Sequence, residues 1–139
     1  FKEFLKTGRP VTCSDPAAGP KQLLKLRRIT PPPGLSKDPT ALACQRTSMQ
    51  GAMNLAYLLG ANRIILLGAD AGRWADNRSH HHSPHKWRNK PGNATWDNQL
   101  SQLQLIVEPL RAAGVEVINT SPITRIPYWP HIPLERLLT

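Results

Sequence analysis

Residues 47–68 read TSMQGAMNLAYLLGANRIILLG, and this stretch decides the fold. Ala52, Leu55, Ala56 and Leu59 recur at the three- and four-residue spacing of one helix face, which Met49 and Met53 widen. Thr47 or Ser48 can cap the start by accepting a hydrogen bond from a free backbone N–H. Gly60 can adopt the left-handed conformation that closes a helix. Arg63-Ile64-Ile65-Leu66-Leu67-Gly68 follows as a short apolar run of branched residues closed by glycine, which predicts a buried parallel strand.

Downstream the same alternation repeats. A second helix is predicted from about Trp96 to Ala113, with Thr95 as its cap and Asp97 in its first turn. Leu100, Leu103, Ile106, Val107 and Leu110 form its apolar face, and Pro109 predicts a kink or break. Gly114 closes the helix, and Val115 to Asn119 reads as the next strand. Helix, strand, long loop, helix and strand in that order argue for an α/β fold with a parallel sheet. Upstream, Phe1 to Thr7 reads as the end of a helix, and Pro10–Cys13 and Leu26–Ile29 as short strands. Thr30-Pro31-Pro32-Pro33-Gly34 is a loop. The proline-rich tail from Ser121 to Pro133 is irregular, with one last helical turn from Pro133 to Leu138.

The 139 residues suit a single domain, 1–139, and 40% of them are hydrophobic, which argues against disorder. No apolar run nears the roughly 18 residues of a membrane span, and no secretion leader is read at the start, so the expected location is the cytoplasm. Cys13 and Cys44 cannot staple a disulfide scaffold and read as free thiols. Lys and Arg number 18 against 9 Asp and Glu, a net charge of +9 that favours anionic partners. The charge carries no zinc-finger or RNA-recognition signature, so a small phosphorylated ligand is favoured over nucleic acid.

Three features can carry chemistry. Arg46-Thr47-Ser48 stands at a helix start, where free N–H groups and the dipole attract a phosphate, although a plain cap is the commoner use of such residues. Asp70 follows the first strand, where open parallel sheets bind ligands. There it can hold a ribose hydroxyl, a metal or an amine, or simply cap a turn. Asn119 occupies the equivalent place after the next strand. The loop from Arg73 to Lys90 holds Arg73, Arg78, Lys86, Arg88 and Lys90 beside Trp74, Trp87 and the histidines His80, His81, His82 and His85. His80, His82 and His85 are candidates for a general base or metal ligands. A nonspecific basic loop is the plainer alternative, and no metal site is assigned.

Taken in order, Arg46-Thr47-Ser48, Ala52-Met53-Asn54-Leu55-Ala56, Arg63 to Asp70, the histidine loop, Thr95-Trp96 and Gly114 to Ser121 resemble a family of bacteriophage and prophage proteins labelled morphogenetic. The resemblance covers about residues 44–139. The helix–strand block is also similar to the bacterial sialyltransferases of glycosyltransferase family 42 and to the 6-hydroxymethylpterin diphosphokinase-like group. These resemblances imply a three-layer Rossmann-like parallel sheet. Such folds open on a strand and a glycine-rich turn that this sequence lacks, so the chain is expected either to be the C-terminal portion of a longer domain or to have lost half of the cleft.

The implied function is a phage-type, glycosyltransferase-like protein binding a nucleotide or a CMP-type nucleotide sugar. Arg46, Thr47 and Ser48 would hold phosphate, Asp70 would orient ribose or sugar with Asn119 on the same side of the sheet, and one of His80, His82 and His85 would act as base toward an acceptor hydroxyl. Met49 stands where the sialyltransferases have glycine. Two alternatives remain open on the same fold. One is a non-catalytic phage assembly protein, with room for a homo-oligomer. The other is a diphosphokinase-like enzyme that uses Mg²⁺.

Overall fold

The structure, a computed structural model, describes residues 11–12, 24–30, 34–45, 47–72 and 93–138. Strands β1 (Val11–Thr12), β2 (Leu24–Lys25), β3 (Arg27–Ile29) and β4 (Ala41–Ala43) come first. Helix α1 (Ser48–Leu58), strand β5 (Arg63–Leu66), helix α2 (Asn93–Ala112) and strand β6 (Glu116–Asn119) follow, with a 3₁₀ turn at Leu134–Arg136. The strands form three two-stranded sheets, β1–β2, β3–β4 and β5–β6, and every pair is parallel. Mixed helix and strand with small parallel sheets agrees with the α/β expectation.

Helix α1 starts where the sequence places it. Thr47 is extended and its hydroxyl accepts from the Met49 N–H at 3.2 Å, so Thr47 rather than Ser48 is the cap. Both helices end alike. Gly60 and Gly114 have positive φ, and the bonds Ala61 N to Ala56 O and Val115 N to Leu110 O close each last turn.

The buried face of α1 differs from the predicted one. Gln50, Gly51, Met53 and Asn54 are buried, whereas Ala52 and Leu59 are exposed. Asn54 explains the rotation. Its Oδ1 accepts from the N–H groups of Ser36 and Ala43, each at 2.9 Å, and its Nδ2 donates to the Ser36 carbonyl at 2.9 Å. Those bonds turn this face of the helix toward β4. Gly51 permits the approach, since a Cβ there would lie 3.2 Å from the Cys44 side chain. Cys44 is buried and its thiol donates to the Thr47 carbonyl.

Strand β4 has no β-branched residue to announce it and is not among the elements expected from the sequence. It pairs with β3 in the register Arg27↔Ala41 through Ile29↔Ala43. Asp38 accepts the Thr40 hydroxyl and N–H just before it, bonds that hold the Asp38 carboxyl below its usual range.

Strand β5 is parallel to β6, as expected, but is buried on one face only. Ile64 and Leu66 face a core built from Met53, Leu103, Ile106, Leu110 and Val117. Ile65 and Leu67, pointing the other way, are 43% and 67% exposed. An apolar run in sequence shows no period, so it cannot distinguish one covered face from two. Arg63 and Glu116 pair across the first rung of this sheet.

Helix α2 begins at Asn93, so Thr95 and Asp97 lie inside the helix rather than at its start. The buried Trp96 gives that earlier turn an apolar anchor. The predicted face holds, with Leu103, Ile106 and Leu110 fully buried. Pro109 does not end the helix, which runs on to Ala112. Beyond β6 the tail doubles back along its free edge. Asn119 N donates to Pro130 O and Ile132 N to Asn119 O, both at 3.0 Å, making a parallel bridge between Asn119 and His131.

Candidate functional site

The carboxyl ends of β5 and β6 meet in a corner tied by side chains from the segment after β6. Thr120 brings its N–H (3.0 Å) and hydroxyl (2.9 Å) to the Leu66 carbonyl. Asn119 is fully buried. Its Nδ2 donates to the Ala69 carbonyl (3.1 Å) and to Thr124 Oγ1 (2.8 Å), and its Oδ1 accepts from the Ser121 N–H (3.0 Å). Thr124 Oγ1 in turn donates to Ala69 O at 2.8 Å. The Arg125 N–H reaches the Asp70 carbonyl at 2.8 Å. Donors from Asn119, Ser121, Thr124 and Arg125 therefore converge on the two residues Ala69 and Asp70.

The result is a rigid mount for Asp70. Ser121, itself buried, donates its hydroxyl to Asp70 Oδ1. Ala71, the next residue, has φ +51°, a conformation costing a non-glycine residue about 1 kcal/mol. The surrounding hydrogen bonds hold that turn in place. The Arg125 side chain lies against Gly72, where a Cβ would come within 2.7 Å of its Cδ, and pairs with Asp97 at 3.3 Å. Ser121→Ala should cost about 1.5 kcal/mol in urea denaturation, because it takes one donor from a partly buried carboxylate.

The structure thus joins Asp70 and Asn119, but with unequal parts. Asp70 is half-buried and its Oδ2 takes no hydrogen bond among the described residues, whereas Asn119 has its amide committed inside the protein and acts by shaping the corner. Thr47 and Ser48 stand at the other feature, the start of α1 just after β4. No acidic residue lies in that first turn, and Ser48 is exposed. No hydrogen bond links Thr47 or Ser48 to Asp70 among the described residues. Arg46, His80, His82, His85, the other charged and tryptophan residues of 73–90, and Cys13 lie outside the described residues.

Three contributors escaped the sequence reading. Ser121 and Thr124 lie in a proline-containing tail whose bonds exist only once β5 and β6 pair. Gln50 is polar yet fully buried, and neither its Nε2 nor its Oε1 has a hydrogen-bond partner among the described residues.

Elsewhere, a groove of about 230 Å³ opens between α2 and the tail, lined mainly by Val107, Leu110, Val115, Val117, Tyr128 and Trp129. It lies at the start of β6, away from Asp70. No three His, Cys, Asp or Glu residues cluster as a metal site among the described residues, and no helix there is long and apolar enough to cross a membrane. No family model, curated protein or solved structure matches the chain.

Proposed function

We propose that the chain is a phage-type, glycosyltransferase-like protein that binds a nucleotide or nucleotide sugar on a three-layer Rossmann-like sheet. The observation carrying this reading is the Asp70 mount at the carboxyl ends of the parallel strands β5 and β6, the side where such sheets take their ligands. Ser121 occupies Oδ1, so Asp70 presents Oδ2 to a ribose or sugar hydroxyl. The acid-free start of α1 at Thr47 and Ser48 supplies N–H groups for a phosphate, with Arg46 adding charge. In sugar transfer, one of His80, His82 and His85 takes the proton of an acceptor hydroxyl. That oxygen attacks the anomeric carbon, and the nucleotide leaves with the bonding electrons. Such a protein works where nucleotides are plentiful, in the bacterial cytoplasm.

Melting curves with CMP, UDP and ATP test the reading. A ligand at a hundred times its Kd adds about 2.7 kcal/mol, roughly 8 °C in Tm for a chain of this size. At least one nucleotide should give such a shift, and the absence of any shift overturns the proposal. Thr47→Ala should cost about 1 kcal/mol of stability by removing the cap and should shrink the nucleotide shift as well. A cap that serves the helix alone would lower Tm and leave the shift intact.

A further inference from the structure

Gln50 lies in the first turn of α1, and its carboxamide is fully buried without a hydrogen-bond partner among the described residues. Asn54, one turn further on, is equally buried but has its amide bonded at both Oδ1 and Nδ2. Among the described residues, the same helix face therefore carries one amide that builds the fold and one that contributes no bond to it. The Cα–Cβ bonds of a helix lean toward its N-terminus, and Gln50 stands only three residues after the Thr47 cap.

We infer that Gln50 is a specificity-determining residue whose carboxamide pairs with the donor–acceptor edge of a bound nucleobase, an inference that rests on the nucleotide reading above. A phosphate offers acceptors and would leave Oε1 unmatched. A base edge offers a donor beside an acceptor and satisfies both ends of the amide. Turning to a ligand breaks no bond between the amide and a described residue, since it makes none where it packs.

Calorimetry and melting of the full chain with CMP, UMP, AMP, GMP and ribose 5-phosphate test this. Wild type should bind at least one nucleoside monophosphate more tightly than ribose 5-phosphate. Gln50→Leu should melt higher than wild type without ligand, because it removes two unmatched buried polar atoms. The variant should lose about tenfold in affinity for that nucleotide while keeping its affinity for ribose 5-phosphate. Gln50→Met, a more adaptable side chain, should behave the same way.

Lower melting of both variants overturns the inference by making the amide structural, for example through a bound water. Unchanged nucleotide affinity also overturns it. Equal binding of ribose 5-phosphate and every nucleotide by wild type overturns it while leaving the phosphate site standing. Failure of wild type to bind any of the five ligands overturns this inference, and the nucleotide reading falls with it when CMP, UDP and ATP shift no melting curve either.

Discussion

Asn54→Leu is expected to lower the stability of the protein by about 4 kcal/mol. Leucine has the same branched four-atom side chain as asparagine and is larger, so the loss does not come from a cavity. The loss comes from three buried backbone groups. The N–H groups of Ser36 and Ala43 and the carbonyl of Ser36 all bond to this one amide, at 2.9 Å each. Leaving a buried polar group unpaired costs about 1–3 kcal/mol, and three together reach the stated size. The effect should read as a fall of roughly 12 °C in Tm and a matching loss in urea. A loss below about 1 kcal/mol would mean that the 34–36 loop and β4 find other partners, and would remove Asn54 as the reason for the orientation of α1.

Gly34→Ala should be about as damaging, costing about 3 kcal/mol or more, for a different reason. Gly34 is buried with φ +88°, and a Cβ there would collide with the Leu105 carbonyl oxygen. Leu105 is the residue whose helix bond Pro109 cannot complete, since proline has no N–H. The Gly34 backbone comes up against that carbonyl and against the proline ring, whose Cγ lies 3.2 Å from the same Cβ position. The obstacle is helix backbone rather than a flexible side chain, so it cannot swing aside. Pro109→Ala in the same chain should not rescue the variant, because the clash is with the carbonyl. Recovery in the double variant would show that the proline ring alone set the limit. Denaturation of the two single variants and the double variant separates these outcomes.

Pro109 also shows how far local rules reach. Proline inside an apolar helical pattern predicts a kink or break, and the break does not occur, since α2 continues for three more residues. Ile106 and Leu110, on either side of the proline, are fully buried, and that packing outweighs one missing bond. The buried face of α1 and the short strand β4 were hidden for the converse reason. Ala41-Leu42-Ala43 has no strand signature of its own, and Asn54 looks like a polar interruption until its partners from residues 36 and 43 are in place.

The candidate site divides along the same line. Asp70 was legible because a polar residue just past a glycine-closed apolar run marks the carboxyl end of a strand. A cap at Thr47 or Ser48 was legible because a capping hydroxyl serves an N–H only two residues away, and the bond to Met49 gives that place to Thr47. Asn119 was found by position, but its role was not, since its partners Ala69 and Thr124 depend on the pairing of β5 with β6. Ser121 was missed for the same reason, as its acceptor is 51 residues distant in the chain.

The alternation of helix and strand, the glycine closures and a cap at Thr47 or Ser48 could be read from the residues alone, because all of these are set by neighbours within about one helical turn. Which face of α1 is buried, that β5 is covered on one side and that Asp70 is held by Ser121 emerge only when the elements pack together. Those outcomes depend on buried polar groups finding partners far away in the chain, and no local pattern encodes such a partner.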